Sequence, residues 1–303
     1  MPCYHPITAY YSQRLNQNGK RSVVFRRVDG FADMPVTLPC GGCIGCRLDR
    51  ARQWAVRCMH EAKCHNDNSF ITLTYNDENL PYNGSIVKRD LQLFFKRLRK
   101  SLEPVKIRYF ACGEYGDSSF RPHYHALVFG YRPHDQKLHT ESDGKQLYTS
   151  QSLAKVWTAG NHLIGDVTYD SARYVASYIN KRVTGDAAND HYVTVDPYTG
   201  ELYNVSPEFV LMSRGRGIGR DWFDRYYTDY YNNDYLIVNG LKQSIPKYYD
   251  KLFETIDTAR YKYIKAGRNK ALAEKKAEYT TDRLEVKEYI QQNKQKLYNN
   301  QSL

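Results

Sequence analysis

The chain has 303 residues, with 44 Lys and Arg against 33 Asp and Glu for a net charge of +11, and 28 tyrosines against 11 Phe and 3 Trp. An apolar content of 41% is enough to bury a core, which excludes a disordered tail, and no apolar run of about 18 residues is present to span a membrane as a helix. The start, Met1-Pro2-Cys3-Tyr4-His5, lacks the apolar run of a secretory signal, so a cytoplasmic location is expected. The basic surplus points to a polyanionic partner. Tyrosine rings supply stacking faces and phenol nucleophiles, but they also simply pack, and composition does not separate these uses.

In chain order, the first feature is Cys40-Gly-Gly-Cys43-Ile-Gly-Cys46. The seven cysteines (3, 40, 43, 46, 58, 64, 112) are odd in number and outside a secretory context, so a disulfide framework is not expected. The C-x2-C-x2-C run suits a structural Zn²⁺ site, with Cys3 or Cys58 as the fourth ligand; the competing reading is a set of buried or free thiols. An iron–sulfur cluster is disfavoured because the further C-x3-C-P is missing. Residues 47–64 read as a helix with Leu48, Ala51, Ala55, Cys58, Met59 and Ala62 at helical spacing, and with Arg47, Arg50, Arg52 and Arg57 on a solvated face. Residues 69–75 alternate as a strand ended by Asn76-Asp77. Residues 89–102 form an amphipathic helix around Leu91, Phe94, Phe95, Leu98 and Leu102. Residues 106–114 and 122–131 form an antiparallel hairpin. A short helix near 150–157, a strand near 161–169 and a helix over 170–183, capped by Asp170 or Ser171, follow. The mixture is an α+β fold with helices packed on a sheet.

Within the hairpin, Arg121-Pro-His123-Tyr-His125 places two imidazoles on one side of a strand, because residues two apart share a face. A turn near Ser118 sets Glu114 across the ladder from His123, on the same face. Two imidazoles and a carboxylate, without sulfur, suit Mn²⁺ or Mg²⁺ with open positions for substrate oxygens. A hairpin with two merely satisfied histidines is the plain alternative. Farther on, Tyr174 and Tyr178 are spaced i, i+4, and Lys181 shares their helix face. Its ammonium would favour a phenolate or neutralise a leaving oxygen. Tyrosine packing would explain the pair, but it explains the lysine less well.

Three segments stand in the order of the motifs of HUH endonucleases: Phe70-Ile-Thr-Leu-Thr-Tyr75, His123-Tyr-His125, and the helix bearing Tyr174, Tyr178 and Lys181. More narrowly, Cys40–Arg47, Phe110-Ala-Cys-Gly-Glu-Tyr115, Arg121–His125 and Arg214–Trp222 resemble the replication initiators of gokushovirus-type microviruses, over most of residues 1–250. The resemblance implies a central antiparallel sheet with flanking helices, tyrosine nucleophiles on a helix and a metal held by the two histidines. It further implies nicking of single-stranded origin DNA through a 5′-phosphotyrosine, priming of rolling-circle replication and circularisation of the product in the cytoplasm of a bacterial host. One departure is Tyr124, where that family usually carries an apolar residue; alternation turns it to the opposite face.

The remaining segments are organised around these motifs. Residues 186–212 read as a loop-rich insertion with turns at Asp196-Pro197 and Tyr198-Thr-Gly200. Ser213-Arg-Gly-Arg-Gly-Ile-Gly-Arg220 reads as a flexible basic segment. It is either a phosphate grip through Arg214, Arg216 and Arg220 or a plain loop. Residues 241–303 are helical and carry 14 basic against 8 acidic residues, so +6 of the +11 lies there. The expected division is a Cys-rich segment and helix (1–66), a nuclease core (67–185), a loop-rich extension (186–240) and a basic helical tail (241–303). No G-x4-G-K-[ST] phosphate loop occurs, so a host helicase is expected as a partner alongside a host polymerase. Two other classes compete: a zinc-stabilised basic protein that binds or packages DNA without cutting it, and a single-tyrosine mobilisation relaxase or transposase on the same fold.

Overall fold

A computed structural model describes residues 3–116, 119–142, 144–180, 183, 186–195 and 199–301. The chain divides into two compact units, one of residues 51–258 and one of residues 1–50 with 259–303. Strands β1 (Ile7–Leu15), β2 (Arg21–Val24) and β3 (Gly30–Leu38) open the chain as an antiparallel sheet in the order β2-β1-β3. The sequence does not mark strands there, because these segments are mostly exposed and carry no clean apolar alternation. Helix α1 (Ile44–Ala62) follows.

The next elements hold a seven-stranded sheet and a separate two-stranded one. They are β4 (Asn68–Tyr75), α2 (Lys88–Ser101), β5 (Arg108–Tyr115), β6 (Pro122–Phe129), β7 (Gln136–Ser142), β8 (Lys145–Ser150), α3 (Gln151–Val156), β9 (Gly160–Gly165), α4 (Tyr169–Ser177), α5 (Ala187–His191), β10 (Val193–Val195), β11 (Leu202–Asn204) and β12 (Phe209–Met212). The larger sheet has the order β12-β5-β6-β4-β9-β8-β7, with antiparallel neighbours throughout, and β10 pairs with β11 in the smaller. The α+β class and central antiparallel sheet expected from sequence are therefore present. Strand β12 corrects the expectation of an irregular 186–212: its four residues pair with β5 from Phe209↔Gly113 to Met212↔Phe110. A strand of four half-buried residues offers too short a pattern to stand out from its loop-rich flanks. The turn at 196–198 lies outside the described residues.

Period-two alternation divides the core between the faces of this sheet. On one face Ile71, Leu73, Ala111, Tyr124, Ala126 and Val128 pack with Leu91, Phe94, Phe95 and Leu98 of α2 and with Trp157. On the other, Phe110, Cys112, Leu127 and Phe129 pack with Ala51, Ala55, Cys58 and Ala62 of α1 and Ala172, Val175 and Ala176 of α4. Small residues on the α1 face let that helix lie close to the sheet. Tyr124 is fully buried on the α2 face, where its hydroxyl meets Tyr75 Oη at 2.6 Å and donates to the Val87 carbonyl at 2.9 Å.

Helix α4 begins earlier than its sequence suggested. Thr168, not Asp170 or Ser171, is the N-cap: its side chain accepts from the Ser171 N–H while Ser171 Oγ reaches back to the Thr168 N–H. The α-helix also ends earlier, at Ser177, and tightens into a 3-10 turn over Tyr178–Asn180.

Helix α6 (Arg220–Tyr231), β13 (Leu236–Val238), β14 (Leu241–Gln243) and α7 (Lys247–Ile256) complete this unit. The segment before α6 is not a free basic loop. Gly219 has φ of +78° and its N–H donates to Glu61 Oε2 at 2.6 Å, while Tyr249 Oη donates to its carbonyl at 3.2 Å. Arg57, expected on a solvated face, is buried instead: its guanidinium lies between the rings of Trp54 (4.0 Å) and Tyr248 (3.9 Å) and donates to the Ile218 carbonyl. The glycines are required by this closeness, since a Cβ on Gly217 would strike the Tyr248 hydroxyl and one on Gly219 the Tyr249 hydroxyl. Helices α8 (Thr258–Glu274) and α9 (Thr281–Gln301) supply the helical C-terminus. In the unit they share with β1–β3, Tyr4, Ala9 and Leu284 are among the few buried apolar side chains. No helix among the described residues is long and apolar enough to cross a membrane.

Two outcomes are expected. Gly219→Ala forces a positive φ on a side chain that meets Tyr249, and should lower stability by about 2 kcal/mol in urea unfolding without changing the m-value. His60, whose Nδ1 lies 3.0 Å from Tyr249 Oη, is held neutral by burial and then by nearby Lys63, which depress it to about 3. The unfolded chain protonates this histidine below about pH 6.5 and the native chain does not. Stability should therefore fall as pH drops from about 6.5 toward 3, by up to about 1.4 kcal/mol per pH unit from this group. His60→Phe should flatten that part of the profile.

Candidate active site

The site is set by register. Glu114 of β5 stands opposite His123 of β6, Cys112 opposite His125, and Thr74 and Thr72 of β4 flank the same two histidines from the other side. His123, His125 and Glu114 thus emerge on one face in adjacent strands. Nε2 of His123 lies 3.1 Å, and Nε2 of His125 2.9 Å, from Glu114 Oε1. Behind the imidazoles, His123 Nδ1 donates to the Arg121 carbonyl at 3.0 Å and His125 Nδ1 meets Thr72 Oγ1 at 3.0 Å. Such partners fix ring orientation and aim both Nε2 atoms at the Glu114 carboxylate. Phe70 stacks on His125 at 5.5 Å.

Helix α4 and its terminal 3-10 turn bring two phenols over this cluster. The Tyr174 ring lies 5.1 Å from that of His125 and 5.0 Å from that of Tyr178, and the Tyr178 ring lies 6.1 Å from His125. Tyr174 Oη donates to Glu114 Oε1 at 3.3 Å, and Tyr178 also hydrogen-bonds this carboxylate. The early end of the α-helix does not part the tyrosines, because a 3-10 turn keeps the following residue near the same face. They differ in access: Tyr174 is 44% exposed and Tyr178 4%. Lys181 lies outside the described residues.

The electrostatics follow from burial and from Glu114. Burial alone would raise the Glu114 carboxyl, but hydrogen bonds from His123 and His125, the charge of His125 and the Tyr178 hydroxyl outweigh it and hold the group at about 2. Glu114 is therefore an anion at any physiological pH. Burial first, and the Glu114 charge second, push both phenols well above the ordinary tyrosine value. A cation among the three groups would reverse the sign of that second effect. The three ligand atoms lie within 4.8 Å of one another, and two imidazole nitrogens with a carboxylate oxygen fit a divalent ion that keeps open positions. Thr72 and the Arg121 carbonyl are partners of the two histidines that sequence reasoning missed. Thr72 was legible in principle from its place at the same face of the neighbouring strand.

A second cluster lies in the other unit. The sulfurs of Cys3, Cys40, Cys43 and Cys46 also lie within 4.8 Å of one another, with Cys43 Sγ 3.9 Å from Cys3 Sγ. Backbone N–H groups point at them: Cys40 to Cys3 Sγ at 3.2 Å, Cys43 to Cys40 Sγ at 3.3 Å and Tyr4 to Cys43 Sγ at 3.4 Å. Burial opposes ionisation of Cys43, yet donors from the Tyr4 and Cys46 backbone and the Cys40 and Cys46 side chains bring its thiol down to about 6. Cys58, the other candidate for fourth ligand, is fully buried in the core between α1 and the sheet.

The three arginines of 213–220 are placed differently from one another. Arg216 pairs with Asp221 at 2.8 Å and with Asp224, and Arg220 Nε donates to Asp224 at 2.7 Å. Both guanidiniums are thus engaged by carboxylates of α6, whereas Arg214 is exposed.

A family model described as replication-associated protein ORF2/G2P matches residues 68–183, a span that holds Glu114, His123, His125, Tyr174 and Tyr178. Replication-associated protein VP4 of Bdellovibrio phage phiMH2K is 34% identical over 263 residues, covering 84% of this chain and 78% of that protein. Replication-associated protein ORF2 of Spiroplasma virus 4 is 34% identical over 249 residues, covering 77% and 73%. Replication-associated protein ORF4 of Chlamydia phage 1 is 28% identical over 228 residues, covering 72% and 54%. No solved structure matches the chain with significance. With two such relatives aligned over most of their length, the chain belongs to the family of phage replication-associated proteins, in agreement with the microvirus-type initiators that its motifs resemble.

Proposed function

We propose that the chain initiates phage replication by nicking single-stranded origin DNA through a tyrosine and later rejoining the product. The observation that carries this reading is the convergence of Glu114, His123 and His125 beneath the rings of Tyr174 and Tyr178. The three ligands would hold Mg²⁺ or Mn²⁺, which supplies polarisation of a phosphate oxygen and offsets the carboxylate charge beside the phenols. A tyrosine oxygen attacks phosphorus and the bond to the 3′-oxygen breaks. This leaves a 5′-phosphotyrosine and a 3′-OH that carries the proton lost by the phenol. One phosphodiester is exchanged for another, so the link is reversible without nucleotide hydrolysis. The 3′-OH primes a host polymerase, and a host helicase opens the duplex.

Tyr174 is the exposed phenol and is suited to the first attack; Tyr178, buried beside it, is suited to the second, when the regenerated origin returns. The released 3′-OH then attacks the first phosphotyrosine and circularises the strand. Lys181 assists whichever phenol is attacking or leaving. Arg214 offers a phosphate contact, and Arg216 and Arg220 would do so on leaving Asp221 and Asp224. The reaction takes place in the cytoplasm of the bacterial host. The exposure difference also favours a second reading, a single-tyrosine relaxase using Tyr174 alone, in which Tyr178 only packs.

The Cys3, Cys40, Cys43 and Cys46 cluster fits a structural Zn²⁺: four thiols with N–H donors to sulfur form a closed set with no position left for substrate. In a unit with few buried apolar side chains, such an ion would supply much of the stability.

With an origin oligonucleotide and Mn²⁺, the wild-type chain should give a covalent protein–DNA band, and Tyr174→Phe/Tyr178→Phe should give none. A band from the double variant would refute the nucleophile assignment, and full circularisation by Tyr178→Phe would select the single-tyrosine reading. His123→Ala should lose nicking by at least about 100-fold while retaining much of the DNA affinity; parallel loss of both would mark a folding defect instead. The purified chain should also carry one zinc per molecule, lost in Cys46→Ser, and a chelator should lower its melting temperature. Metal-free protein of unchanged stability would remove the zinc assignment.

A further inference from the structure

Away from the histidines and tyrosines, a cavity of about 490 Å³ opens between the end of α1, α6 and β13. This volume falls in the range of small-ligand sites. Its walls are largely aromatic, formed by Trp222, Tyr226, Tyr230 and Tyr235 with His60, and Lys63 stands at its edge. Trp222 is fixed from one side by His60, whose ring lies parallel at 3.5 Å, and it meets Tyr226 at 5.2 Å and Tyr230 at 5.4 Å. His60 is neutral, as derived above, so it acts as a flat support and not as a charge. Tyr226 is 43% exposed and keeps much of its ring open to a ligand.

The polar groups of the cavity are those that a base edge and its phosphate require. Asp229 and Asn233 line it as acceptor and donor. Tyr230 is 5% exposed, and its hydroxyl has no hydrogen-bond partner among the described residues. Lys63 is exposed and cationic. Aromatic faces with a few polar edge groups and one cation are the elements with which proteins hold unstacked bases of single strands.

Because the chain is proposed above to work on single-stranded DNA, and dependent on that substrate, we propose that this cavity captures one unstacked base of the strand, stacked on Tyr226 and Trp222, with its phosphate near Lys63. A duplex cannot enter, since its bases are already stacked and paired. The cavity shares no residue with the catalytic cluster, so it acts in affinity and positioning.

The test is anisotropy of a labelled single strand of about 25 nucleotides and of the matching duplex, across a salt series, with the full-length chain. Tyr226→Ala should weaken single-strand binding by roughly 5- to 100-fold, with an unchanged salt slope and unchanged duplex affinity. Tyr226→Phe, which keeps the ring, should restore binding. Lys63→Ala should reduce the salt slope by about 1. Unchanged single-strand affinity in Tyr226→Ala, or an equal loss on duplex, overturns the base pocket while leaving the nicking reading intact. Failure of the wild-type chain to bind single strands would overturn both.

Discussion

The two-residue period of β6 is the constraint on which the rest of the chain depends. In this strand His123 and His125 turn to the α4 face, while Tyr124 and Ala126 turn to the α2 face. A slip of one residue would bury both imidazoles among Phe94, Phe95 and Trp157 and expose Tyr124 to the carboxylate. The register is held on both sides, by β4 over seven residue pairs and by β5 over eight. It is held again by the Tyr75–Tyr124–Val87 hydrogen bonds, which would be left unmade after a slip. Tyr124 thus anchors the placement of His123 and His125 through the opposite face of the sheet.

Packing and chemistry meet in α1 and in the loop before α6. Small residues of α1 allow it to approach the sheet beside α4, and the other side of the same helix supplies Arg57 and Glu61 to the loop that carries Gly217 and Gly219. Glu61 links this loop to β5 as well, through Arg108 at 2.8 Å. The glycine- and arginine-rich stretch is therefore ordered by close backbone approach, and its sequence serves packing at least as much as charge.

Much of this is legible in the sequence. The strands expected over 69–75, 106–114 and 122–131 and the helix over 89–102 follow from the apolar pattern: one-sided periodicity marks the helix, and apolar runs bounded by turn residues mark the buried strands. The Glu114–His123 pairing follows from hairpin register. What was not legible lacked a local signal. Strands β1–β3 are exposed and show no alternation, and β12 is short and stabilised by its partner. The α4 cap depends on a Thr168–Ser171 pair that competes with better-known cap residues next to it. The choice between Cys3 and Cys58 needed three dimensions, because either is compatible with sequence spacing and only Cys58 falls into the core.

The Glu114, His123 and His125 cluster and the two phenols belong to elements of different mechanical character. Glu114, His123 and His125 lie on interior strands, whose ladder bonds open only with the whole sheet. Tyr174 and Tyr178 lie on a helix of nine residues that ends in a 3-10 turn, where fraying needs few broken bonds. In the proposed nicking reaction, a DNA end joined to a tyrosine would thus ride on a part that can yield, above an anvil that cannot. Strain from a tethered strand would be absorbed by the helix end before it reached the ligand geometry.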